Sequence, residues 1–191
     1  MRKTMLVVST LLVSTMLLLT VLVPARAQQP KDGVESLAPF YPTPESVVQK
    51  MLELGELKKG QWHYDLGSGD GRIVIMAAQK FGAHSVGFEI KDELIERSMT
   101  KIKILGLEKL ATIQKQDLMT ADFSKPDLIT VYLLPTSNDK LLPILEKQMH
   151  KGSRVVSHDF EFRGWKADKA INLDVEDEGD MRSHTLYLYR R

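Results

Sequence analysis

The chain has no cysteine and no excess of charge of either sign, and both absences exclude classes of function. Without cysteine there is no disulfide, no cysteine-ligated zinc site and no cysteine nucleophile. The formal net charge is +1, and it becomes −2 when residues 1–27, which hold three basic and no acidic side chains, are set aside. Nucleic-acid binding needs a basic face, so the composition argues against a nucleic-acid partner. The five histidines are scattered without a pair at ligand spacing, so no metal site is predicted.

A long apolar run, residues 5–23, follows two basic residues near the start and precedes the sequence PARAQQ. This order, with small residues at Ala25 and Ala27, is typical of a cleaved secretory signal. The run is also close to the length that spans a bilayer, so an uncleaved membrane anchor is the alternative. The domain is accordingly expected in the periplasm after export, or anchored to the inner membrane. We divide the chain into a signal peptide or anchor (1–27), a polar linker or N-terminal arm (28–42) and one domain (43–191).

Strand-like and helix-like segments alternate along the domain. The predicted strands are QWHYDL, HSVGFEI, ATIQKQ, DLITVYLL and SRVVSHDF, and apolar faces at helical spacing separate most of them. KAINLDV and SHTLYLYR then follow without a helix between them. The pattern predicts an α/β fold with a mostly parallel sheet, helices on both faces and an antiparallel edge. A further helix is predicted to begin after Thr43, whose hydroxyl can cap it.

The stretch DLGSGDGR lies where the first strand turns into a helix. Ligands of such sheets bind beyond the carboxyl ends of the strands, and Gly67 and Gly69 allow a backbone with positive φ to approach a ligand closely. The spacing differs from the dinucleotide fingerprint G-x-G-x-x-G, and Asp65 is poorly placed for a pyrophosphate. Asp65 suits the ammonium of S-adenosylmethionine (AdoMet), and Glu89 the ribose hydroxyls. An NAD-dependent oxidoreductase and a turn without a ligand are the alternatives.

Two groups of motifs carry a resemblance to a known family. YDLGSGDGR, VGFEI and KQDL resemble the cofactor motifs of class I AdoMet-dependent methyltransferases, and YPTP, TVYLLP and GSRVVSHDFEFRGW resemble the small protein-lysine N-methyltransferases of archaea and mitochondria. The resemblance implies a Rossmann-like fold with a seven-stranded sheet in the order 3-2-1-4-5-7-6 and AdoMet as the cofactor. Asp117 would meet the adenine edge, or would only cap a turn. The implied cofactor-binding residues are Tyr41, Thr43, Asp65, Gly67, Ser68, Gly69, Glu89, Asp117 and Leu118.

The resemblance also implies a methyl acceptor, a lysine amine of a protein. The fourth strand ends in YLLP rather than the Asn/Asp-Pro-Pro-aromatic motif of enzymes that methylate nucleic-acid bases, glutamine or protein N-termini. Tyr132 is the catalytic candidate that lines the methyl-transfer channel, with a buried strand tyrosine as the alternative. His158 is the candidate proton acceptor, and Pro135, Asp159 and Glu161 are candidates on the substrate side. His158, Asp159 and Glu161 are predicted to form an acidic rim where a lysine side chain enters, with a solvated loop that contains a capping aspartate as the alternative. A small-molecule methyltransferase and a non-catalytic AdoMet- or nucleotide-binding module in the cell envelope are the alternative functions.

Overall fold

The structure, a computed structural model, describes residues 36–177 and 179–191. The helices are α1 (Glu45–Leu54), α2 (Arg72–Phe81), α3 (Asp92–Ile104) and α4 (Pro135–Gln148), with a 3-10 turn at Leu118–Thr120. The strands are β1 (Trp62–Leu66), β2 (His84–Glu89), β3 (Ala111–Lys115), β4 (Leu128–Val131), β5 (Arg154–His158), β6 (Lys169–Asp177) and β7 (Asp180–Arg190). The predicted signal peptide or anchor and the first part of the predicted arm lie outside the described residues. Among the residues described, no helix is both long and apolar enough to cross a membrane.

The seven strands form one sheet in the order β3-β2-β1-β4-β5-β7-β6. Strands β1 to β5 run parallel to one another, whereas β7 runs antiparallel to both β5 and β6. The predicted fold class, strand order and antiparallel edge are therefore confirmed. This topology brings the carboxyl ends of β1, β2, β4 and β5 to one edge of the sheet, where the candidate site lies.

Helices cover both faces of the sheet, because its central strands are apolar on both sides. Leu128 packs with α1 and α2, whereas its neighbour Ile129 packs with α4 on the opposite face. Val155 and Val156 of β5 divide between the same two clusters. Helices α2 and α3 share a third cluster with β3. The result is a three-layer domain whose central strands are buried between helices.

The start of α1 departs from the sequence prediction. Pro44 rather than Thr43 is the N-cap residue, and no side chain caps the helix. The Thr43 hydroxyl lies 3.2 Å from His158 Nδ1 at the end of β5. A tertiary hydrogen bond has thus replaced the predicted local one, and it ties the segment before α1 to the carboxyl edge of the sheet.

Candidate functional site

A cleft of about 830 Å³, open to solvent, lies at the carboxyl ends of β1, β2 and β4. The segment 36–43 forms one of its walls and the loop between β1 and α2 another. The catalytic candidate Tyr132 lines the cleft together with all nine residues predicted to bind the cofactor: Tyr41, Thr43, Asp65, Gly67, Ser68, Gly69, Glu89, Asp117 and Leu118.

The glycines of the loop have the backbone conformation that the sequence predicted. Gly67 and Gly69 have φ angles of 78° and 54°, which side-chain-bearing residues rarely adopt. A Cβ on Gly69 would lie 2.6 Å from the ring of Phe40, so the N-terminal segment packs directly on bare backbone. A Cβ on Gly67 would lie 2.9 Å from the side chain of Leu133. The absence of a side chain at Gly69 therefore leaves room for Phe40 in the wall of the cleft, and its absence at Gly67 leaves room for Leu133.

Asp65 lies at the end of a fully buried chain of hydrogen bonds that crosses three strands. Its Oδ1 accepts a hydrogen bond from the Thr130 hydroxyl at 2.7 Å, because Asp65 and Thr130 are register partners in β1 and β4. The Thr130 oxygen lies 2.9 Å from His63 Nε2, and His63 Nδ1 lies 2.7 Å from the Ser85 hydroxyl. Because Thr130 donates to the carboxylate, it accepts from His63, and this fixes the imidazole as the Nε2–H tautomer. Burial lowers the pKa of His63 to about 3, which keeps the ring neutral.

The other oxygen of Asp65, Oδ2, is buried without a hydrogen-bond partner, and so is the hydroxyl of Ser68. Burial raises the pKa of Asp65 to about 7; the carboxylates of Glu89 and Asp70 add to the shift and the Thr130 hydroxyl opposes it. An unpaired buried carboxylate oxygen is costly, and a cationic ligand group beside it would remove that cost.

Glu89 and Asp117 are both held by backbone groups at the edge of the cleft. Glu89 Oε2 accepts from the Gly69 N–H at 2.9 Å, while Oε1 accepts from the N–H groups of Ile90 and Lys91. Asp117 Oδ1 accepts from the Met119 N–H at 2.9 Å and caps the 3-10 turn. The two interpretations of Asp117 are thus compatible, because the residue caps a turn and also lines the cleft.

Four polar side chains, including that of Tyr132, meet where the end of β5 pairs with β7. The Tyr132 hydroxyl lies 3.3 Å from Asp159 Oδ2, and its ring packs on His158 with centroids 3.9 Å apart. His158 Nε2 lies 2.9 Å from His184 Nδ1. Burial and the Asp159 carboxylate raise the pKa of Tyr132 to about 12, so the phenol stays protonated. Burial lowers the pKa of His158 to about 4 against the opposing effect of Asp159.

A left-handed backbone at Asp159, with φ 57°, explains why its side chain and that of His158 reach the same place. Successive residues of a strand point to opposite faces, and this turn reverses the alternation at the end of β5. The turn is fixed because the Asp159 N–H donates to Thr185 O, and Oδ1 accepts from the Thr185 N–H.

The predicted acidic rim is wrong in its composition. His158 is fully buried, whereas Glu161 is exposed and Asp159 retains a quarter of its side-chain exposure. Pro135 begins α4 and does not line the cleft. Of the substrate-side candidates, Asp159 accepts a hydrogen bond from the Tyr132 hydroxyl.

The sequence analysis did not identify His184, Phe40 or the hydrogen-bonded side chains behind Asp65, which are those of Thr130, His63 and Ser85. His184 lies 26 positions after His158 and joins it through the pairing of β5 with β7. Thr130 and His63 were assigned only to strands. The signal available for them was a polar residue within an apolar strand, as in HYDL and LITV.

The residues of the cleft fit AdoMet. The unpaired Asp65 Oδ2 matches an ammonium, the backbone-held Glu89 a pair of ribose hydroxyls, and the glycine loop the close approach of a ligand.

Comparison with known proteins places this site in a family. The ANTKMT methyltransferase domain matches residues 65–169. A protein-lysine N-methyltransferase of Saccharolobus islandicus (strain REY15A) is 43% identical over 152 residues, which cover 79% of this chain and 92% of that protein. A lysine N-methyltransferase of Homo sapiens, named for its action on an ATP synthase component, is 30% identical over 72% of this chain, but the match spans only 58% of the human protein.

A solved structure agrees with both fold and cofactor. The crystal structure of an RNA methyltransferase from Salinibacter ruber in complex with S-adenosyl-L-homocysteine is 42% identical and has a TM-score of 0.71, covering 78% of this chain and 93% of that one. The chain therefore belongs to the ANTKMT methyltransferase family and is a class I AdoMet-dependent methyltransferase related to protein-lysine N-methyltransferases, as its motifs predicted.

Proposed function

We propose that this chain transfers a methyl group from AdoMet to the side-chain amine of a lysine in a protein substrate. The observation that carries the proposal is the Tyr132–Asp159 pair, an aromatic ring and a partly exposed carboxylate beside the cleft. A ring face and a carboxylate attract a cationic amine and repel a phosphate. The 43% identical relative, named a protein-lysine N-methyltransferase, supports the same substrate class.

The residues of the chain divide the work by position. Asp65, Ser68 and Glu89 would hold AdoMet, which supplies a methyl group already activated on a sulfonium. Asp159 recruits the lysine ammonium, and the Tyr132 ring and hydroxyl orient the amine. The amine must be neutral to attack, and deprotonating a lysine of pKa ~10.4 at pH 7 costs on the order of 4–5 kcal/mol. Desolvation beside the aromatic wall lowers that cost.

The competing substrate is RNA, because the Salinibacter ruber protein is named an RNA methyltransferase. The charge of the cleft argues against it. Four acidic residues line it, Asp65, Asp70, Glu89 and Asp117, against two basic ones, Arg72 and Lys91. Residues 28–191 hold 23 basic and 25 acidic side chains, which provides no excess of cations for a phosphate backbone.

The test is to incubate the purified full-length chain with methyl-labelled AdoMet and with protein or RNA fractions of the source cells. We expect the incorporated label to be released by protease but not by ribonuclease. Acid hydrolysis should recover it as methyl-lysine. Label that ribonuclease releases would instead show that the substrate is RNA, and the proposal would be overturned.

Tyr132→Phe tests the assignment of the acceptor end. We expect kcat to fall at least tenfold while the AdoMet dissociation constant changes less than twofold, because only the hydroxyl beside Asp159 is lost. Tyr187→Phe, on β7, is the matched control and should retain activity. An unchanged kcat in Tyr132→Phe would remove Tyr132 from the site.

We further propose that the domain works at a membrane, either exported after cleavage of residues 1–27 or anchored to the inner membrane through residues 5–23. The apolar run near the start of the sequence supports this, and so do relatives named as lysine N-methyltransferases of an ATP synthase component and of adenine nucleotide translocase. The native N-terminus fused to a reporter that is active only outside the cytoplasm distinguishes the sides. Reporter activity would exclude an anchor that holds the domain inside.

A further inference from the structure

A cluster of three ligand-type side chains lies beside the cleft but outside the residues that fit AdoMet. His158, Asp159 and His184 each offer one nitrogen or oxygen atom, and these three atoms lie within 4.8 Å of one another. His158 Nε2 lies 2.9 Å from His184 Nδ1 and 3.4 Å from Asp159 Oδ2. The third side of the triangle, from His184 Nδ1 to Asp159 Oδ2, is 3.5 Å. Within residues 36–177 and 179–191 this is the one group of at least three His, Asp or Glu side chains with such convergence.

One tautomer of His158 satisfies the cluster with hydrogen bonds: Nδ1 accepts from the Thr43 hydroxyl, Nε2–H donates to His184 Nδ1, and the Tyr132 hydroxyl donates to Asp159 Oδ2. The other tautomer does not. A neutral imidazole has one N–H and one lone pair, and a carboxylate oxygen has only lone pairs. His158 Nδ1 faces the Thr43 hydroxyl at 3.2 Å. In the tautomer that donates to Thr43, the lone pairs of His158 Nε2 and Asp159 Oδ2 face each other at 3.4 Å. A cation between these atoms turns that repulsion into attraction.

The separations are those that a bound transition-metal ion requires. Three atoms at these distances can all lie about 2.1 Å from a single point just outside their plane, which is the bond length of Zn²⁺ to imidazole nitrogen and carboxylate oxygen. His158 and His184 are 0% and 5% exposed. Both rings are therefore shielded from bulk solvent, and each offers a ring nitrogen as a ligand atom.

The surroundings hold two of the three side chains, His158 and Asp159, in these orientations. The Thr43 oxygen fixes the far nitrogen of His158, and the Thr185 N–H donates to Asp159 Oδ1 at 2.9 Å. Partners of this kind orient the ligands in metal sites of proteins. The left-handed turn at Asp159 serves the same end, because it brings two consecutive residues to one point.

We propose that His158, Asp159 and His184 form a binding site for one first-row divalent transition-metal ion, with Zn²⁺ as the best match to two imidazoles and a carboxylate. The ion joins β5 to β7 and, through Thr43, to the segment that forms a wall of the cleft. The ion takes Asp159 Oδ2 as a ligand and fixes the acceptor end of the site. In the metal-bound chain the Tyr132 ring, rather than this carboxylate, therefore meets the lysine amine, and methyl transfer does not pass through the ion.

The test is a titration of the chelator-treated full-length chain, in detergent, with Zn²⁺ alone, followed by calorimetry and by competition with a chromophoric chelator. We expect one ion per chain, a micromolar or tighter dissociation constant and a rise in melting temperature. His184→Ala and Asp159→Asn should each weaken binding at least tenfold. His150→Ala is the matched control, because His150 is an exposed histidine outside the cluster, and it should bind as the wild type does. Co²⁺ should give a visible spectrum that both cluster variants lose.

Binding of AdoMet by each variant, measured in parallel, shows whether the domain is folded and keeps this proposal separate from the proposed function. If the folded wild type binds no Zn²⁺ below 100 micromolar, the cluster is a hydrogen-bonded one and the proposal is overturned. It is equally overturned if Asp159→Asn and His184→Ala bind AdoMet normally and bind Zn²⁺ as tightly as the wild type. Asp159→Asn, at a partly exposed position, gives the answer even if His184→Ala fails to fold.

Discussion

AdoMet binding should depend on pH through Asp65, and this can be calculated from the structure. Burial, Glu89 and Asp70 raise the pKa of the free carboxyl to about 7. The ligand ammonium would lie against the unpaired Oδ2, so it binds the ionised form. Below pH 7 most of the free protein therefore loses a proton from Asp65 as it binds.

The size of the effect follows from the fraction ionised. With a pKa of about 7, Asp65 is about 3% ionised at pH 5.5 and half ionised at pH 7. AdoMet affinity should therefore rise about fifteenfold across this window, in which the α-amino group of the ligand remains charged. Ionisation of Asp65 has the opposite effect on the stability of the free protein. A carboxyl whose pKa is raised on folding destabilises the free protein once it ionises, so Asp65→Asn should raise the unfolding free energy at pH 8 by up to ~4 kcal/mol.

The assay is calorimetric titration with AdoMet at pH 5.5, 6.2 and 7, in pairs of buffers with different heats of ionisation. Release of nearly one proton per ligand at pH 5.5 and about half a proton at pH 7 is expected. Asp65→Asn should bind weakly with a flat pH profile, and Asp92→Asn, at an exposed carboxylate, should keep the wild-type slope. A wild-type affinity that is flat across this window, or a slope that survives in Asp65→Asn, would refute the reasoning.

Two further substitutions test the walls and the floor of the cleft. Thr130→Val keeps the shape of the side chain but removes a buried hydroxyl from the hydrogen-bond chain, so urea unfolding should show a loss of about 1–3 kcal/mol. Thr112→Val, on the outer strand β3, should cost less than about 0.5 kcal/mol. Gly69→Ala adds a Cβ that would lie 2.6 Å from an aromatic ring of the N-terminal segment, whereas Gly60→Ala at φ 79° meets nothing within 4 Å. Both substitutions should lower the unfolding free energy by the ~1–2 kcal/mol strain of a left-handed backbone. Only Gly69→Ala should also weaken AdoMet binding, by at least tenfold. Equal AdoMet binding by the two variants would contradict the packing described.

Local features of the sequence predicted the frame of the cofactor site. Asp65 and the glycines follow one strand and Glu89 ends the next, and the parallel topology necessarily brings those ends together. Positive φ at Gly67 and Gly69 could be predicted because few other residues adopt it.

Contacts across long sequence separations could not be predicted in this way. Thr43 had the composition of a helix cap, but its hydroxyl bonds His158, 115 positions away. The identity of that partner depends on the packing of the segment before α1 against β5. His184 escaped notice for the same reason, since only the register of an antiparallel pair brings it to His158.

The prediction of a rim at SHDFEF placed His158 and Asp159 together, as they are in the structure, but it did not anticipate that His158 would be fully buried. Regular alternation after Ser157 would have sent His158 and Asp159 to opposite faces, and the left-handed turn at Asp159 brought them together instead. Asparagine and aspartate adopt that conformation more readily than most residues. Even so, the sequence alone does not show at which aspartate the chain will turn.

The chain of Ser85, His63, Thr130 and Asp65 also bears on how the sheet assembles. These four polar side chains satisfy one another only when β2, β1 and β4 align in the register observed. A slip of one residue in either pairing would leave polar groups without partners in the most buried part of the domain, each at a cost of about 1–3 kcal/mol. An otherwise apolar set of parallel strands has little else to distinguish one alignment from the next. The same side chains that direct a carboxylate to the cleft therefore disfavour incorrect strand registers. Substitutions among them should slow folding as well as weaken AdoMet binding.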